Sequence, residues 1–566
     1  MKYRVIVFFI FLCLPLLSCM RMGGQAPSRV AITTLEGEEY PEEISMATGM
    51  SHRFYSRAFV NTLSGEQSIG AAEQRDFLND VAFDVIEESS PGQVIQAEPN
   101  GCLWARGPGQ AVVRLSAYSL KKGQLETFVK LNVAASSPQT ISLGQVSDFS
   151  VAHLKTVNGT FYGLTRNNQF SIINGEGNVV GGIQNVTLDA QSMDNKYAQV
   201  WKDIRNEGFF VSYSAPRQSQ RRLSTGFFSL SQPAAPLLSF DNPDKNDALL
   251  DIRKIVAGAL SNRTPVILAV TRDWNPSANN NPGGFDSARV AVFALVNQGF
   301  NTFQLNQSSY FYFSDGSSGV LKVALTDVEL GQLFGDRVIQ FSQGQSGHFY
   351  IGVGTYAVQD PNDRTKFTDK SDLKFMIYDG SQLVVETPIS ALNLGEMANK
   401  KAFSLEASFD VPQIVFIRKS DKNLIFLQRA TAWKSAQLDT AVDDTFSPRL
   451  IANNEDGTLV AAWKKNNKIY LQISKDFGAT WLQNPLELNA SVSDLELVPL
   501  PCGGSGLVTV EGSDLNLRFF DDLFKTFSSA VKLGSGLKKI QTFRERQMIK
   551  LFYLDGGGVL RMTSFP

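Results

Sequence analysis

The sequence predicts an all-β protein in which a small N-terminal β-sandwich is followed by a β-propeller. Three observations carry this. A run of apolar and small residues recurs eight times: Tyr162–Thr165, Phe210–Tyr213, Ile267–Val270, Tyr350–Val353, Ile414–Ile417, Leu459–Ala462, Leu507–Val510 and Ile549–Phe552. After each run comes a turn and an alternating strand, as at Asn423–Gln428, Lys468–Ile473 and Leu515–Phe520. A shorter outer strand then follows, as at Pro485–Leu488 and Ala530–Leu533. Four-stranded units spaced by about forty to fifty residues are the pattern of a propeller. The 40 phenylalanines suit apolar layers between such units.

The chain opens with Lys2 and Arg4, an apolar run from Val5 to Leu17 broken by Pro15, and then Ser18-Cys19. This is the layout of a secretory leader. Leu16-Leu17-Ser18-Cys19 resembles the lipobox of bacterial lipoproteins. The resemblance implies cleavage after residue 18 and acylation of Cys19, the alternative being an ordinary leader with an incidental cysteine. Met20, rather than Asp, follows; in a diderm host the resemblance then implies the outer membrane. No second apolar run reaches the ~20 residues that a bilayer span requires, so attachment would rest on the acyl chains. Residues 19–28 are small, polar and glycine-bearing, and read as a flexible tether.

Residues 29–134 read as a block of seven short strands: Val30–Thr34, Phe54–Val60, Val81–Ile86, Val94–Ala97, Cys102–Ala105, Ala111–Ser116 and Thr127–Val133. Period-two alternation is clear in the last two. That number of strands in about a hundred residues suits an immunoglobulin-like sandwich. The stretch Gly101–Val112 resembles the late strands of bacterial Ig-like domains, with Trp104 expected in the core. Ala134–Pro138 reads as a linker, and residues 139–566 as the propeller. Its last unit ends at Gly558–Pro566 without an outer strand, which Gln139–Leu143 could supply, closing the ring. This gives eight blades, with seven as the alternative. The small residues of the recurring strand suit a position near a crowded axis.

The sharpest motif is Ser474-Lys475-Asp476-Phe477-Gly478-Ala479-Thr480-Trp481. Asp476 and Ser474 can accept backbone N–H groups in a turn, Gly478 permits positive φ, and Trp481 can pack beneath. The octapeptide resembles the Asp box of sialidase-like (BNR-repeat) propellers, matching at Ser474, Asp476, Gly478, Thr480 and Trp481. In that family the box joins the third and fourth strands of a blade on the face away from the ligand, which implies a structural role. A degenerate copy keeps Asp522 and Thr526, 46 residues on, with Phe524 and Phe527 replacing Gly and Trp. Sialidase chemistry is poorly supported. The family's early Arg-Ile-Pro motif has only an echo, Arg263-Thr264-Pro265, in the third unit. Arg272, Arg418 and Arg546 have no assignable Tyr/Glu partners.

In a propeller, the connection between second and third strands shares a face with the crossovers between blades, the usual ligand face. Three consecutive units elaborate it as loops, over 215–222, 272–284 and 357–371. Long connections in compact domains carry function more often than their share. The candidate ligand rim is Arg217, Arg221, Arg222, Arg272, Trp274, Asn279, Tyr356 and Arg364, residue types suited to protein hot spots and sugar contacts.

Composition excludes several classes. With 53 Lys+Arg against 55 Asp+Glu there is no basic field for nucleic acid. Three histidines (His52, His153, His348) and no paired-Cys spacing argue against a metal site. Asp360–Asp363 and Asn242–Asp247 lack the glycine and terminal glutamate of a calcium loop and read as solvated turns. No cofactor is expected. Once the leader and Cys19 are set aside, Cys102 and Cys502 remain. An oxidising envelope permits a disulfide, but they fall in different domains, so two separate buried thiols are expected. The reading is a lipid-anchored envelope protein whose propeller binds a protein or glycan without catalysis. The alternatives are a sialidase-like glycoside hydrolase acting on envelope or extracellular glycans, and a structural part of an envelope assembly.

Overall fold

The computed structural model describes Ala26 to Phe565 except 36, 63–64, 70–77, 136–137, 157–158, 167–168, 181–185, 188–198, 203–207, 218–219, 231–236, 240–249, 260–264, 275–284, 300–301, 313–338, 355, 361–362, 371, 381–382, 400, 454–455, 522–525 and 545–547. Cys19, Asn279 and the loop cores at 218–219 and 275–284 therefore lie outside the described residues. Among those described, nearly all regular structure is β, and no helix is long and apolar enough to cross a membrane.

The N-terminal unit holds ten strands: β1 (Arg29–Thr33), β2 (Glu43–Ala47), β3 (Ser51–Arg53), β4 (Tyr55–Thr62), β5 (Gly65–Ser68), β6 (Asn79–Glu88), β7 (Ile95–Ala97), β8 (Cys102–Ala105), β9 (Gly109–Ser119) and β10 (Gly123–Ala134). They form sheets ordered β1-β4-β5, β2-β10-β9-β6 and β3-β8-β7. The three strands the sequence did not signal, β2, β3 and β5, are short or polar. In β9, Ala111, Val113, Leu115 and Ala117 are buried and their neighbours are not, so the period-two pattern sets one face inward.

Eight antiparallel meander sheets follow among the described residues. In chain order their second strands are Gly159–Arg166, Gly208–Arg217, Pro265–Trp274, Phe349–Val353, Val411–Ile417, Leu459–Lys465, Ser505–Glu511 and Ile549–Asp555. Each of the eight recurring runs falls on one of these. Phe349–Val353 and Ile549–Asp555 are buried at every position. A strand covered on both faces reads as a continuous apolar run rather than an alternating one. The eighth sheet is completed by Gln139–Gln145, paired antiparallel with Val559–Phe565.

The cores lie between neighbouring sheets. Val151, Tyr162 and Leu164 of the first sheet pack with Phe552, Leu554 and Met562 of the last. Phe170 of the first packs with Phe209 and Phe228 of the second. Val415 and Phe426 of the fifth pack with Ala461 and Trp463 of the sixth. Sheets packed face to face in sequence order, with the last against the first, make a closed β-propeller. The small residues of the second strands answer to this packing and not to the axis, which the first strands line. A Cβ on Gly163 would stand 2.8 Å from the Phe209 ring, and one on Gly352 2.9 Å from Phe403. Each glycine admits an aromatic ring of the next sheet.

The first strand of each sheet is an edge strand at the axis, with backbone groups needing partners. Side chains of one first strand supply them to the next. Gln541 Oε1 accepts from Val151 N at 2.8 Å, and Ser150 Oγ from Val200 N at 2.9 Å. Gln340 Oε1 accepts from Leu405 N at 2.9 Å, and Ser404 Oγ from Leu450 N at 3.1 Å. These bonds latch successive blades.

Two expectations are corrected here. Cys102 and Cys502 are not separate thiols but a disulfide, with Cα atoms 5.6 Å apart, within bridging range. Assigning them to different domains was no bar, because the domains touch. The rim connections are also largely not loops. Gly208–Arg217 and Gln220–Ser229 form one hairpin with Arg217 opposite Gln220. In the third sheet Pro265–Trp274 pairs with Phe285–Gly299 up to Trp274. The fourth carries an added hairpin, Tyr356–Asp360 with Asp363–Lys370.

Candidate functional site: two faces and an axis

Antiparallel meanders give a propeller two unlike faces. Connections between first and second strands, and between third and fourth, open on one face. Connections between second and third strands, and the crossovers, open on the other.

The first face carries the Ser474–Trp481 turn, between Lys468–Ser474 and Leu486–Leu488. Asp476 Oδ1 accepts from Thr480 N and Ser474 Oγ, both at 2.8 Å, and Oδ2 accepts from Thr480 Oγ1 at 2.6 Å. Ser474 Oγ accepts from Gly478 N at 2.8 Å. Burial pushes the Asp476 carboxyl up, but the bonds from Thr480 and Ser474 outweigh it and hold it below the usual range. Gly478 has φ +89, and a Cβ there would lie 2.4 Å from Phe426 Cζ. The Trp481 ring meets Phe426 of the preceding sheet edge-on, centroids 5.0 Å apart. Both Asp476 oxygens are thus engaged inside the turn.

The N-terminal unit docks on this same face. Besides the disulfide, Ser51 Oγ donates to Pro501 O. Lys155 pairs with Glu38. Trp104 is 1% exposed, with Lys475 Nζ over its ring at 6.0 Å. One apolar cluster joins Ile44, Met50 and Leu103 to Leu500, Phe519 and Tyr553. Residues 500–504 and 155 belong to connections between first and second strands, or to the strand ends beside them.

The opposite face is left to the second-to-third connections, and these are uneven. In the sixth sheet the link is the two-residue turn Asn466-Asn467, with φ +51 and +60, the geometry of a type I′ hairpin. The seventh turns at Gly512-Ser513 and the eighth at Gly556–Gly558. The second, third and fourth sheets instead raise the extended hairpins described above. Arg217, Arg221, Arg222, Arg272, Trp274 and Arg364 lie on the backbone of those hairpins, at or near their tips, and Tyr356 lies at the base of the added one. Their side chains, like Asn279 as a whole, fall outside the described part of the structure.

At the axis is a polar cluster that sequence reasoning missed. Arg449 opens the first strand of the sixth sheet with its side chain 8% exposed. Its Nη2 donates to Asp494 Oδ1 at 3.1 Å and its Nε to Leu495 O at 3.0 Å, while Glu496 Oε2 lies 3.5 Å from Nε. Burial, and then the Glu496 charge, pushes the Glu406 carboxyl of the fifth sheet up to about 8. Burial also lifts Asp494 to about 6 against the pull of Arg449, and it raises Glu496. Across the ring, burial and Lys202 hold His153 down to about 4. The available signal was the alternation Ser404-x-Glu406 and Asp494-x-Glu496 in short strands ahead of the apolar runs. Chemically the cluster offers a carboxylic acid that stays protonated at neutral pH beside an arginine-bound carboxylate. Among the described residues, no group of His, Cys, Asp or Glu is arranged to hold a metal ion.

No protein family and no curated protein matches the chain. Among solved structures it is similar to the Dos1 propeller, with 11% identity and TM-score 0.41, over 76% of this chain and 95% of that one. It is also similar to Porphyromonas gingivalis dipeptidyl peptidase 4, with 10% identity and TM-score 0.40, over 74% and 60%. A third is the Aleuria aurantia lectin, solved with α-methyl-L-fucoside, with 9% identity and TM-score 0.29, over 69% and 98%. The propeller assignment stands on the chain's own strand pairing.

Proposed function

We propose that the chain is a lipid-anchored cell-envelope protein, acylated at Cys19, whose eight-bladed propeller binds a protein or glycan through its rim without catalysis. The observation that carries this is the division of faces. The N-terminal unit is bonded through Cys102–Cys502 to the face bearing the Ser474–Trp481 turn. The face with three adjacent extended hairpins is thereby turned away from the tether. The sheet order supports a count of eight blades, and the turn is read as an Asp box with a structural role. The N-terminal unit is read as an Ig-like spacer, since the run β10-β9-β6 matches the G-F-C order of that sandwich. The ligand set is Arg217, Arg221, Arg222, Arg272, Trp274, Asn279, Tyr356 and Arg364. Crosslinking pull-down from whole envelopes tests this by comparing the intact protein with a form trimmed at 215–222, 272–284 and 357–371. A partner lost on trimming supports the rim; identical partners from both forms refute it.

The axial cluster favours a second reading, a glycoside hydrolase with Glu406 as proton donor. Its test is turnover of a panel of aryl glycosides by the intact protein, abolished by Glu406→Gln. Absence of turnover across the panel leaves the cluster its latching role between blades.

A further inference from the structure

The β9–β10 hairpin runs the length of the N-terminal unit. Its base lies toward the propeller: Thr48 N donates to Ala134 O, and next to Thr48, Gly49 packs against Phe519 and Ser528. Its tip is the turn between Ser119 and Gly123, which the twelve residues of β10 place at roughly 35–40 Å from that base. The tip carries Leu120, 80% exposed and the most exposed large apolar side chain among the described residues, and Tyr118, 46% exposed. Lys121 and Lys122 are exposed beside them. An aliphatic side chain, a tyrosine and two lysines at one projecting turn are the residue types that settle at a bilayer interface.

The tip also stands where the tether enters. Lys122 Nζ donates to Ser28 O at 3.0 Å. Ser28 is nine residues from Cys19, a span of about 15–18 Å as a flexible coil and about 30 Å fully extended. The nearby acidic groups Glu39 and Glu66 both contact Arg29, and the two lysines are the charged residues of the turn itself.

We propose that the Tyr118–Lys122 turn is a membrane contact: Leu120 enters the headgroup–acyl boundary while Lys121 and Lys122 lie against anionic headgroups. This rests on the N-terminal tether of the proposed function. It makes the anchored protein stand upright, tip on the lipid and rim outward, instead of swinging on its tether.

The test separates the contact from acylation by supplying the tether artificially. The chain from Met20 onward, with hexahistidine in place of Cys19, is held on vesicles containing nickel-chelating lipid. Bimane is attached at Leu120→Cys or, as a control on an outer strand of the propeller, at Val385→Cys, and quenching by brominated acyl chains is read. On phosphatidylglycerol vesicles, quenching at 120 should be at least twice that at 385. Adding Lys121→Glu and Lys122→Glu should bring it down to the control. Equal quenching at 120 and 385 would overturn the contact, and quenching at 120 indifferent to the charge reversal would overturn its lipid class. Failure of acylation itself would show separately, in the mass of the N-terminal peptide.

Discussion

At the residue scale, a few side chains have their chemistry closed by the turn or strand that holds them. Gly478→Ala places a Cβ at positive φ and into Phe426, and should cost about 1–3 kcal/mol in urea unfolding. Asp476→Asn loses charge-assisted bonds worth roughly 1–3 kcal/mol at pH 7. Because Asp476 is held below its ordinary range in the folded chain, that stabilisation is present above the unfolded pKa. It fades as pH falls through the folded one, so wild type and variant should converge in acid. Glu406 runs the other way. Its folded pKa of about 8 is above the unfolded value, so the folded state binds the extra proton and stability falls as pH rises from about 4.5 to 8. Glu406→Gln should flatten that slope in unfolding midpoints taken at pH 6 and pH 9. An unchanged slope would mean that the carboxyl is hydrated at the axis.

At the element scale, what the sequence made legible was whatever burial dictates on both faces. The second strands read clearly because each is covered on both sides and cannot alternate. The Ser474–Trp481 turn read clearly because its bonds close within eight residues. The closing pair was legible from a missing fourth strand in the last unit. Less legible were elements fixed by partners distant in sequence. The polar first strands face the axis, and their side chains serve the backbone of the next sheet, so nothing local marks them. The rim segments carry Pro, Asn and Gly and read as loops, yet the register Ala215↔Arg222 and Val358↔Thr368 extends them as ribbons. Proline tolerates this at an edge position. The blade latches can be tested singly. Ser404→Ala removes the acceptor for the Leu450 N–H and should cost about 1–3 kcal/mol in thermal or urea unfolding.

At the scale of the whole molecule, the disulfide was the feature that sequence reasoning could not reach, since it joins residues 400 apart and requires two units to meet. Cys102→Ser should lower stability by about 2–4 kcal/mol and open the docked face to limited proteolysis. An unchanged digestion pattern would mean that the apolar contacts hold the interface alone. The central claim is that one face is occupied by the chain's own N-terminal unit and the other meets the partner. Photo-crosslinking in intact envelopes tests this most directly. A photoreactive residue would be placed in turn at Arg222, Trp274 and Arg364 on the rim hairpins, and at Thr431 on the opposite face. Adducts to a common partner are expected from the three rim positions and none from Thr431. Adducts from Thr431 alone, or equally from all four positions, would contradict it.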